Sequence, residues 1–274
     1  MKLKNIYIVL LLAAVIYSCK KEEIGTVAAP VKASAPVLTK VLVDNQATDE
    51  YVYNDSNLVV QQKSISSLSV NHYNSEGLLT STLYYGNDDI LSSDAQVSQA
   101  AANNQSIVTS ATGKIGGTIT YVYNINGQLI KTTYSQQSNS IVESSDFTYD
   151  NNNRIMRQTT NWGGTATGYT DYMYDGVGNL ATENLYNLSA TGAAELITTT
   201  QYAYDKQPNP YKTVSKLTIP GINTNENNIV KQTYTIHLPA DHGPDNVSIT
   251  ENTYAYNATG YPISQNGNVQ YIFK

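Results

Sequence analysis

The sequence predicts an all-β protein, an antiparallel meander of repeated β-hairpins that forms one long, twisted and curved sheet. Three observations lead to this prediction. An aromatic-x-Tyr motif followed by Asn or Asp and a glycine-type turn recurs along most of the chain. Tyrosine is abundant, with 23 tyrosines against 2 phenylalanines, and aromatic and β-branched side chains favour strands. The chain lacks the i, i+3, i+4 apolar spacing of amphipathic helices.

The first segment of the chain is typical of a secretory signal. Two lysines precede an apolar run from Ile6 to Ile16, and small Ser18 comes directly before the only cysteine, Cys19. A run of about ten apolar residues is too short to span a bilayer, which needs roughly twenty. The order of positive charge, apolar stretch and small residue is that of a signal peptide. Residues 1–18 are therefore predicted to be removed.

The last four residues of this segment, "IYSC", resemble a bacterial lipobox. The resemblance implies that Cys19 is lipidated and becomes the mature N-terminus; the alternative is an ordinary signal peptide beside a chance cysteine. The next residues, Lys20, Lys21, Glu22 and Glu23, resemble the signal that exports lipoproteins of Bacteroidota to the outer face of the outer membrane, although a solvated charge run would look similar. We therefore expect a surface-exposed outer-membrane lipoprotein, held to the membrane by the acyl chains on Cys19.

Residues 19–36 are predicted to be the lipidated N-terminus and a flexible tether, because residues 24–36 are small and punctuated by prolines. Removal of the signal leaves 14 basic against 22 acidic residues, a surface that does not attract nucleic acid or anionic lipid. Once Cys19 is lipidated, no thiol is left for a disulfide or for redox chemistry. Residues 37–274 are predicted to form a single β domain.

Seven copies of the motif align on the second tyrosine of Y-x-Y, at intervals of 20, 50, 26, 25, 30 and 52 residues. A recurrence of this kind indicates a repeated supersecondary unit. One long interval contains a predicted mobile insertion, residues 86–117, in which only Ser92 to Gln105 could be helical. The other long interval is predicted to hide a degraded copy at Tyr234-Thr235-Ile236. The aligned residues are Tyr53, Tyr73, Tyr123, Tyr149, Tyr174, Tyr204 and Tyr256.

Each copy is predicted to be a β-hairpin. The Asn or Asp after the tyrosine can start an Asx turn, and the Gly or Asn three residues later tolerates the positive φ that a short hairpin loop requires. Because side chains alternate along a strand, both aromatics of Y-x-Y lie on one face and the residue between them lies on the other. Neighbouring hairpins should therefore align their rings, and each cross-strand pair contributes roughly 0.2–1 kcal/mol.

The pattern Y-x-Y-[DN]-x-x-G with a following Leu or Ile resembles the YD repeats of Rhs-type proteins over roughly Tyr51 to Lys274. The stretches "YAYDKQPNPYKTV" and "YAYNATGYPISQNGNVQYIFK" are similar to a short form of these repeats in secreted Bacteroidota lipoproteins of unknown function. For large Rhs proteins the resemblance implies a sheet coiled into a shell around a toxic C-terminal domain. This chain has too few hairpins to enclose such a cargo, and we do not expect encapsulation.

The sequence offers few candidates for catalysis or metal binding, and it predicts no cofactor and no metal. The glycines of "YDGVGNL" lack the G-x-x-x-x-G-K-[ST] pattern of a phosphate loop, and the Asx-rich turns lack the spaced acids of a calcium loop. The stretch "HLPADH", from His237 to His242, resembles a metal pair or a catalytic dyad, although its prolines favour an exposed loop and no further ligand is near. Paired carboxylates for glycoside cleavage remain open.

The tyrosines allow two interpretations, since their rings suit sites that are half buried and half wet. They form either the packed ladder of the sheet or an aromatic platform for a glycan or peptide, with Trp162, Tyr172 and Tyr174 as its candidate residues. Our leading hypothesis is a non-enzymatic, lipid-anchored surface protein that binds a glycan or a protein partner. A purely structural envelope component comes second, and a hydrolase acting on envelope or dietary polysaccharides comes third.

Overall fold

The computed structural model describes residues 35–85, 115–136, 139–214, 216–239 and 242–274. These residues form one all-antiparallel sheet of 17 strands, which confirms the predicted fold class. Helical structure among them is confined to two short 3-10 turns, Pro210–Thr213 and Ile222–Thr224, and neither is long or apolar enough to cross a membrane. The signal, Cys19, the residues Lys20 to Glu23 and the candidate helix Ser92 to Gln105 lie outside the described residues.

The strands follow one another along the chain as successive hairpins. They are β1 (Leu38–Val43), β2 (Gln46–Tyr53), β3 (Val59–Ser64), β4 (Leu68–Tyr73), β5 (Leu79–Tyr85), β6 (Ile115–Tyr123), β7 (Leu129–Gln136), β8 (Asn139–Tyr149), β9 (Ile155–Trp162), β10 (Thr165–Tyr174), β11 (Leu180–Leu188), β12 (Ala194–Pro208), β13 (Asn227–Ile236), β14 (Asn246–Glu251), β15 (Tyr254–Tyr256), β16 (Pro262–Gln265) and β17 (Val269–Phe273).

The sheet curves back toward its own start. Strand β17 pairs with β16 along one edge and with β1 along the other, so the first and last strands of the chain are neighbours. The described residues show no strand pairing between β14 and β15, and the sheet therefore does not close. We call the side on which the tyrosines pack the inner face, and the opposite side the outer face.

The repeated turns all lie at one end of the sheet, which we call the turn end. In each of them an Asn or Asp Oδ1 accepts a hydrogen bond from the backbone N–H two residues on, at 2.9–3.0 Å. The residue after that has the positive φ that the sequence predicted. These residues are Asn57, Gly77, Gly127, Asn153, Gly178 and Gly260.

Two predictions about the long intervals need correction. Residues 115–117 belong to strand β6, so the insertion is shorter at its C-terminal end than predicted. Tyr234-Thr235-Ile236 is not a degraded repeat, because β13 carries it away from the turn end into the loop that precedes β14. The interval from Tyr204 to Tyr256 is instead one repeat expanded by the insert, which we define as residues 209–226, between β12 and β13.

The core on the inner face consists of two apolar clusters, and the insert packs against both. The first surrounds Leu38 and Val59, and the second surrounds Ile155 and Leu180. Both rings of the Y-x-Y pairs lie on this face, as predicted, since Tyr51 and Tyr53 belong to the first cluster and Phe147 and Tyr172 to the second. The insert adds Tyr211 and Val214 to the first cluster, and Leu217 and Ile219 to the second.

In five of the seven copies the second tyrosine of the motif bonds across the sheet to the preceding repeat. Its hydroxyl donates to the backbone carbonyl of the aliphatic residue that resumes the chain after the previous turn, and we call this contact the tyrosine latch. In β10, for example, the strand pairing with β9 stops at Asp171 opposite Arg157, and Tyr174 reaches the carbonyl beyond that point. The latches are Tyr73 to Val59, Tyr123 to Leu79, Tyr149 to Leu129, Tyr174 to Ile155 and Tyr204 to Leu180, at 2.7–3.0 Å.

Removal of one latch should weaken the fold measurably. We expect Tyr174→Phe to lower the free energy of unfolding by about 1–3 kcal/mol, because the carbonyl of Ile155 loses its hydrogen bond in a half-buried site. Urea unfolding followed by circular dichroism measures this change. Tyr134→Phe is the matched control, since the Tyr134 hydroxyl has no hydrogen-bond partner in the described part of the chain. Equal midpoints for the two variants would contradict the latch.

Candidate ligand pocket beneath the insert

The insert exists because one Asx turn is interrupted by proline. Asp205 Oδ1 accepts from Gln207 N at 2.9 Å, as in the other turns, but Pro208 stands where those turns have Gly or Asn. Proline cannot take a positive φ, so the chain leaves the hairpin and crosses the inner face. Asn209 then caps the first 3-10 turn by accepting from Tyr211 N at 3.0 Å.

Two buried asparagines fasten the insert to the turn that precedes it in the sheet. Asn179 is 1% exposed, and its Oδ1 accepts from the backbone N–H groups of Glu226 and Asn227 at 2.8 and 3.0 Å. Asn225 Oδ1 accepts in return from Leu180 N at 2.9 Å. These hydrogen bonds hold the C-terminal end of the insert against the turn between β10 and β11.

A pocket of about 130 Å³ lies between the insert and the inner face of strands β3 to β6. It is far larger than the roughly 10–15 Å³ that one water needs, and smaller than the roughly 300–1,000 Å³ of sites for drug-sized ligands. Its volume suits one small group or the end of a polymer. The strands contribute Asn71, Tyr73, Thr82, Tyr84 and Tyr121 to its lining, and the insert contributes Val214, Lys216 and Leu217.

The floor of the pocket is a self-contained hydrogen-bond network. Asn71 Nδ2 and the Tyr73 hydroxyl both donate to the carbonyl of Val59, at 3.0 and 2.8 Å. Thr82 Oγ1 donates to Asn71 Oδ1 at 2.8 Å and lies 3.1 Å from the Tyr121 hydroxyl. Burial raises the pKa of both Tyr73 and Tyr121 to about 12, so their rings stay neutral. This floor is polar and uncharged.

Two polar groups lie at the rim of the pocket, the Lys216 ammonium and the Tyr84 hydroxyl. Neither has a hydrogen-bond partner among the described residues. Lys216 is exposed and the side chain of Tyr84 is 36% exposed. The Tyr84 hydroxyl is protonated and a donor at neutral pH, as in an ordinary tyrosine, and burial raises its pKa further. The rim therefore presents one cation and one neutral donor above the aromatic floor.

Of the three residues predicted to form an aromatic platform, Tyr172 and Tyr174 share the inner face and Trp162 lies apart from them. Tyr172 is 8% exposed and packs in the second cluster, where its hydroxyl donates to Gln158 Oε1 at 3.0 Å. Tyr174 is a latch residue. Trp162 is 49% exposed, but it ends β9 beside the turn that leads into β10, at the opposite end of the sheet from the repeated turns. The paired tyrosines of the repeats therefore lie on the inner face. The tyrosines that line the pocket are Tyr73 on β4, Tyr84 on β5 and Tyr121 on β6.

His237 from the "HLPADH" stretch lies in a hydrogen-bond chain, although its partners are not those of that stretch. Its Nδ1 lies 2.7 Å from Asp245 Oδ2, and its Nε2 lies 2.8 Å from Thr199 Oγ1. Asp241 lies outside the described residues. Thr199 sits in mid-strand between ladder partners on both sides, so its surroundings lack the free backbone N–H groups that stabilise an oxyanion.

This chain of three side chains fastens the loop between β13 and β14. Asp245 Oδ1 also accepts from Leu238 N at 3.0 Å. The hydrogen bonds from Leu238 and then from His237 lower the pKa of the Asp245 carboxyl, so it is ionised at neutral pH. Within the described ranges no group of three or more His, Cys, Asp or Glu side chains is placed to hold a metal ion.

The pocket residues Tyr84 and Lys216 were not singled out from the sequence. Lys216 belongs to no repeated position, because the insert has no counterpart in the other copies. The one sequence signal for it was Pro208-Asn209-Pro210, which interrupts a turn. Tyr84 lies outside the Y-x-Y register, in a strand that reads like any other.

No protein-family model and no curated protein matches the chain. Among solved structures it is similar to a porin-like protein from Bacteroides uniformis, with 14% identity over 86% of this chain and 96% of that one and a TM-score of 0.40. A porin-like protein from Bacteroides vulgatus gives 10% identity, coverage of 87% and 99%, and a TM-score of 0.35. The TcdB2-TccC3-Cdc42 structure gives 13% identity over 77% of this chain and a TM-score of 0.31, and the match spans 10% of that chain's length.

Proposed function

We propose that this chain is a non-enzymatic, lipid-anchored cell-surface protein that binds the acidic end of a glycan in the pocket beneath the insert. The observation that carries the proposal is the rim, where Lys216 and Tyr84 have no hydrogen-bond partner among the described residues and lie over a floor of neutral tyrosines. The predicted lipidation of Cys19 and the predicted export residues Lys20 to Glu23 support placement at the cell surface.

The pocket chemistry fits a sugar that bears a carboxylate. A lysine ammonium forms charge-assisted hydrogen bonds with a carboxylate, and a tyrosine hydroxyl can donate to a sugar oxygen. The faces of aromatic rings pack against the apolar faces of a sugar ring while their polar tips remain wet. Because the volume is about 130 Å³, the pocket suits a terminal residue rather than the interior of a polymer.

Removal of the rim cation tests this function. We expect Lys216→Gln to weaken binding of uronic-acid-terminated oligosaccharides on a glycan array by about tenfold or more, since a hydrogen bond to a charged group contributes about 1.5–3 kcal/mol. Lys63→Gln is the charge-matched control, because Lys63 is exposed on β3 and does not line the pocket. Lys63→Gln should bind as the unaltered protein does.

Further outcomes distinguish binding in the pocket from membrane anchoring and from catalysis. Cys19→Ser should release the protein from membranes and leave oligosaccharide binding unchanged. Equal binding by Lys216→Gln and Lys63→Gln, or binding confined to neutral glycans, would count against the pocket. Shortened oligosaccharide products after incubation with the protein would favour the alternative of a polysaccharide hydrolase.

A further inference from the structure

In the part of the chain that the structure describes, strand β14 is an open edge of the sheet. It pairs with β13 on one side, in a six-residue ladder without a register shift. On its other side the described residues offer no strand, because the chain passes from β14 to β15, which pairs with β16. All six residues of β14 are exposed.

The pairing with β13 shows which backbone groups of β14 face outward. Asn252 N donates to the carbonyl of Val230 at 2.9 Å, which makes this couple a hydrogen-bonded pair. Hydrogen-bonded and non-bonded pairs alternate along an antiparallel ladder. The N–H and C=O groups of Val247, Ile249 and Glu251 therefore point away from β13, toward solvent.

The side chains of β14 make this edge attractive to another strand. Val247 and Ile249 are 59% and 57% exposed and share one face, because strand side chains alternate. Edge strands are commonly protected by lysine, proline or a bulge, and β14 has none of these. A row of unpaired amides beside alternating β-branched side chains is the arrangement used in strand addition.

The charge at this edge favours a strand from another protein over a second copy of this chain. Acidic Asp245 and Glu251 bracket the edge. Asp245 bonds to His237 and Glu251 lies 3.7 Å from Lys231, but their side chains are still 41% and 72% exposed, and the chain carries a net charge of −6. In a symmetric antiparallel pair of two β14 strands centred on Ser248, Asp245 would oppose Glu251 of the other copy. Like charges directly opposite each other are destabilising. A strand with basic residues has the complementary charge.

We propose that β14 binds an extended segment of a partner protein by strand addition, with β-branched apolar residues at alternating positions and basic residues opposite Asp245 and Glu251. Main-chain hydrogen bonds to Val247, Ile249 and Glu251 supply the affinity, and the exposed side chains of Val247 and Ile249 supply the selectivity. This site lies apart from the pocket and does not depend on the proposed glycan.

A synthetic end-blocked peptide of sequence Lys-Thr-Val-Thr-Val-Thr-Lys, whose lysines and valines share one face of the strand, tests the proposal on the whole mature protein. Its binding should slow the amide hydrogen exchange of Val247, Ile249 and Glu251, while Ser248 and Thr250, which already bond to β13, change little. Ile249→Pro removes one outward donor and spares the inward ladder, so it should weaken binding at least tenfold. Ile249→Thr keeps the donor and the branched side chain, and it should bind nearly as the unaltered protein does.

A second measurement remains valid even where Ile249→Pro impairs folding. N-methylation of the peptide amides that face β14 should abolish binding to the unaltered protein, and N-methylation of the opposite amides should not. The proposal is overturned by equal binding of both methylated peptides, by protection at another edge, by no binding of the peptide, or by self-association of the protein through β14.

Discussion

Raising the pH from 10 to 12 is expected to unfold the sheet cooperatively. Burial is the main cause that raises the pKa of the ladder tyrosines, and for six of them the folded value is about 12 against 10 for an unperturbed tyrosine. In the folded state these rings stay protonated at pH 11, whereas in the unfolded chain they ionise. The six residues are Tyr53, Tyr73, Tyr121, Tyr123, Tyr174 and Tyr202.

The direction of the effect follows from proton linkage. A raised pKa in the folded state stabilises it fully below pH 10, and this contribution is lost as the pH rises through 10 toward 12. Each tyrosine that is protonated in the folded state and ionised in the unfolded state lowers stability by about 1.4 kcal/mol per pH unit. Several together can exceed the roughly 5–15 kcal/mol of a typical domain within about one pH unit.

Two signals followed against pH make the measurement. Tyrosinate absorbance and far-ultraviolet circular dichroism should change together in one steep transition above pH 10, since the buried rings ionise only when the sheet opens. A gradual rise of tyrosinate absorbance near pH 10 with unchanged circular dichroism would show that the rings are accessible, and it would contradict a packed ladder.

The repeats could be predicted from short sequence patterns because the hydrogen bonds that form each turn join residues close together in the chain. The Asx turn at Asn124, for example, depends on bonds to Asn126 N and Gln128 N, within four residues of its start. Strand alternation likewise fixes that Tyr172 and Tyr174 share a face while Met173 points outward. Both features can be deduced from spacing alone, and the structure confirms them.

The pocket could not be predicted because its contacts are distant in sequence. Asn179 bonds to Glu226 and Asn227, which lie 47 and 48 residues further along the chain. Thr82 and Tyr121, in its floor, are 39 residues apart. No periodicity marks such pairs, and Pro208 indicated only that a turn was interrupted. The separation of Trp162 from Tyr172 and Tyr174 could not be predicted for a related reason, since sequence spacing gives the face on which a residue lies but not its position along the strands.

Replacing Asn179 with alanine is expected to lower the free energy of unfolding by about 2–6 kcal/mol, because two backbone N–H groups lose their acceptor at roughly 1–3 kcal/mol each. The side chain also donates to Asp175 Oδ2 and Asn227 Oδ1, at 3.0 and 3.1 Å. Urea unfolding measures the loss. Gln128→Ala is the matched control, since Gln128 occupies the equivalent position of another turn and its side chain bonds only to the side chains of Asn124 and Asn153 among the described residues.

Asn179→Ala should destabilise the insert locally, while the sheet remains folded. The amides of Glu226 and Asn227 should exchange much faster in Asn179→Ala, and those of the β7–β8 ladder should exchange as before, because only the insert depends on Asn179 for its position. Since Lys216 and Leu217 reach the pocket from the insert, oligosaccharide binding should weaken even where the protein remains folded. Unchanged exchange at Glu226 together with normal binding would mean that the apolar contacts of Tyr211, Val214, Leu217 and Ile219 hold the insert without this asparagine.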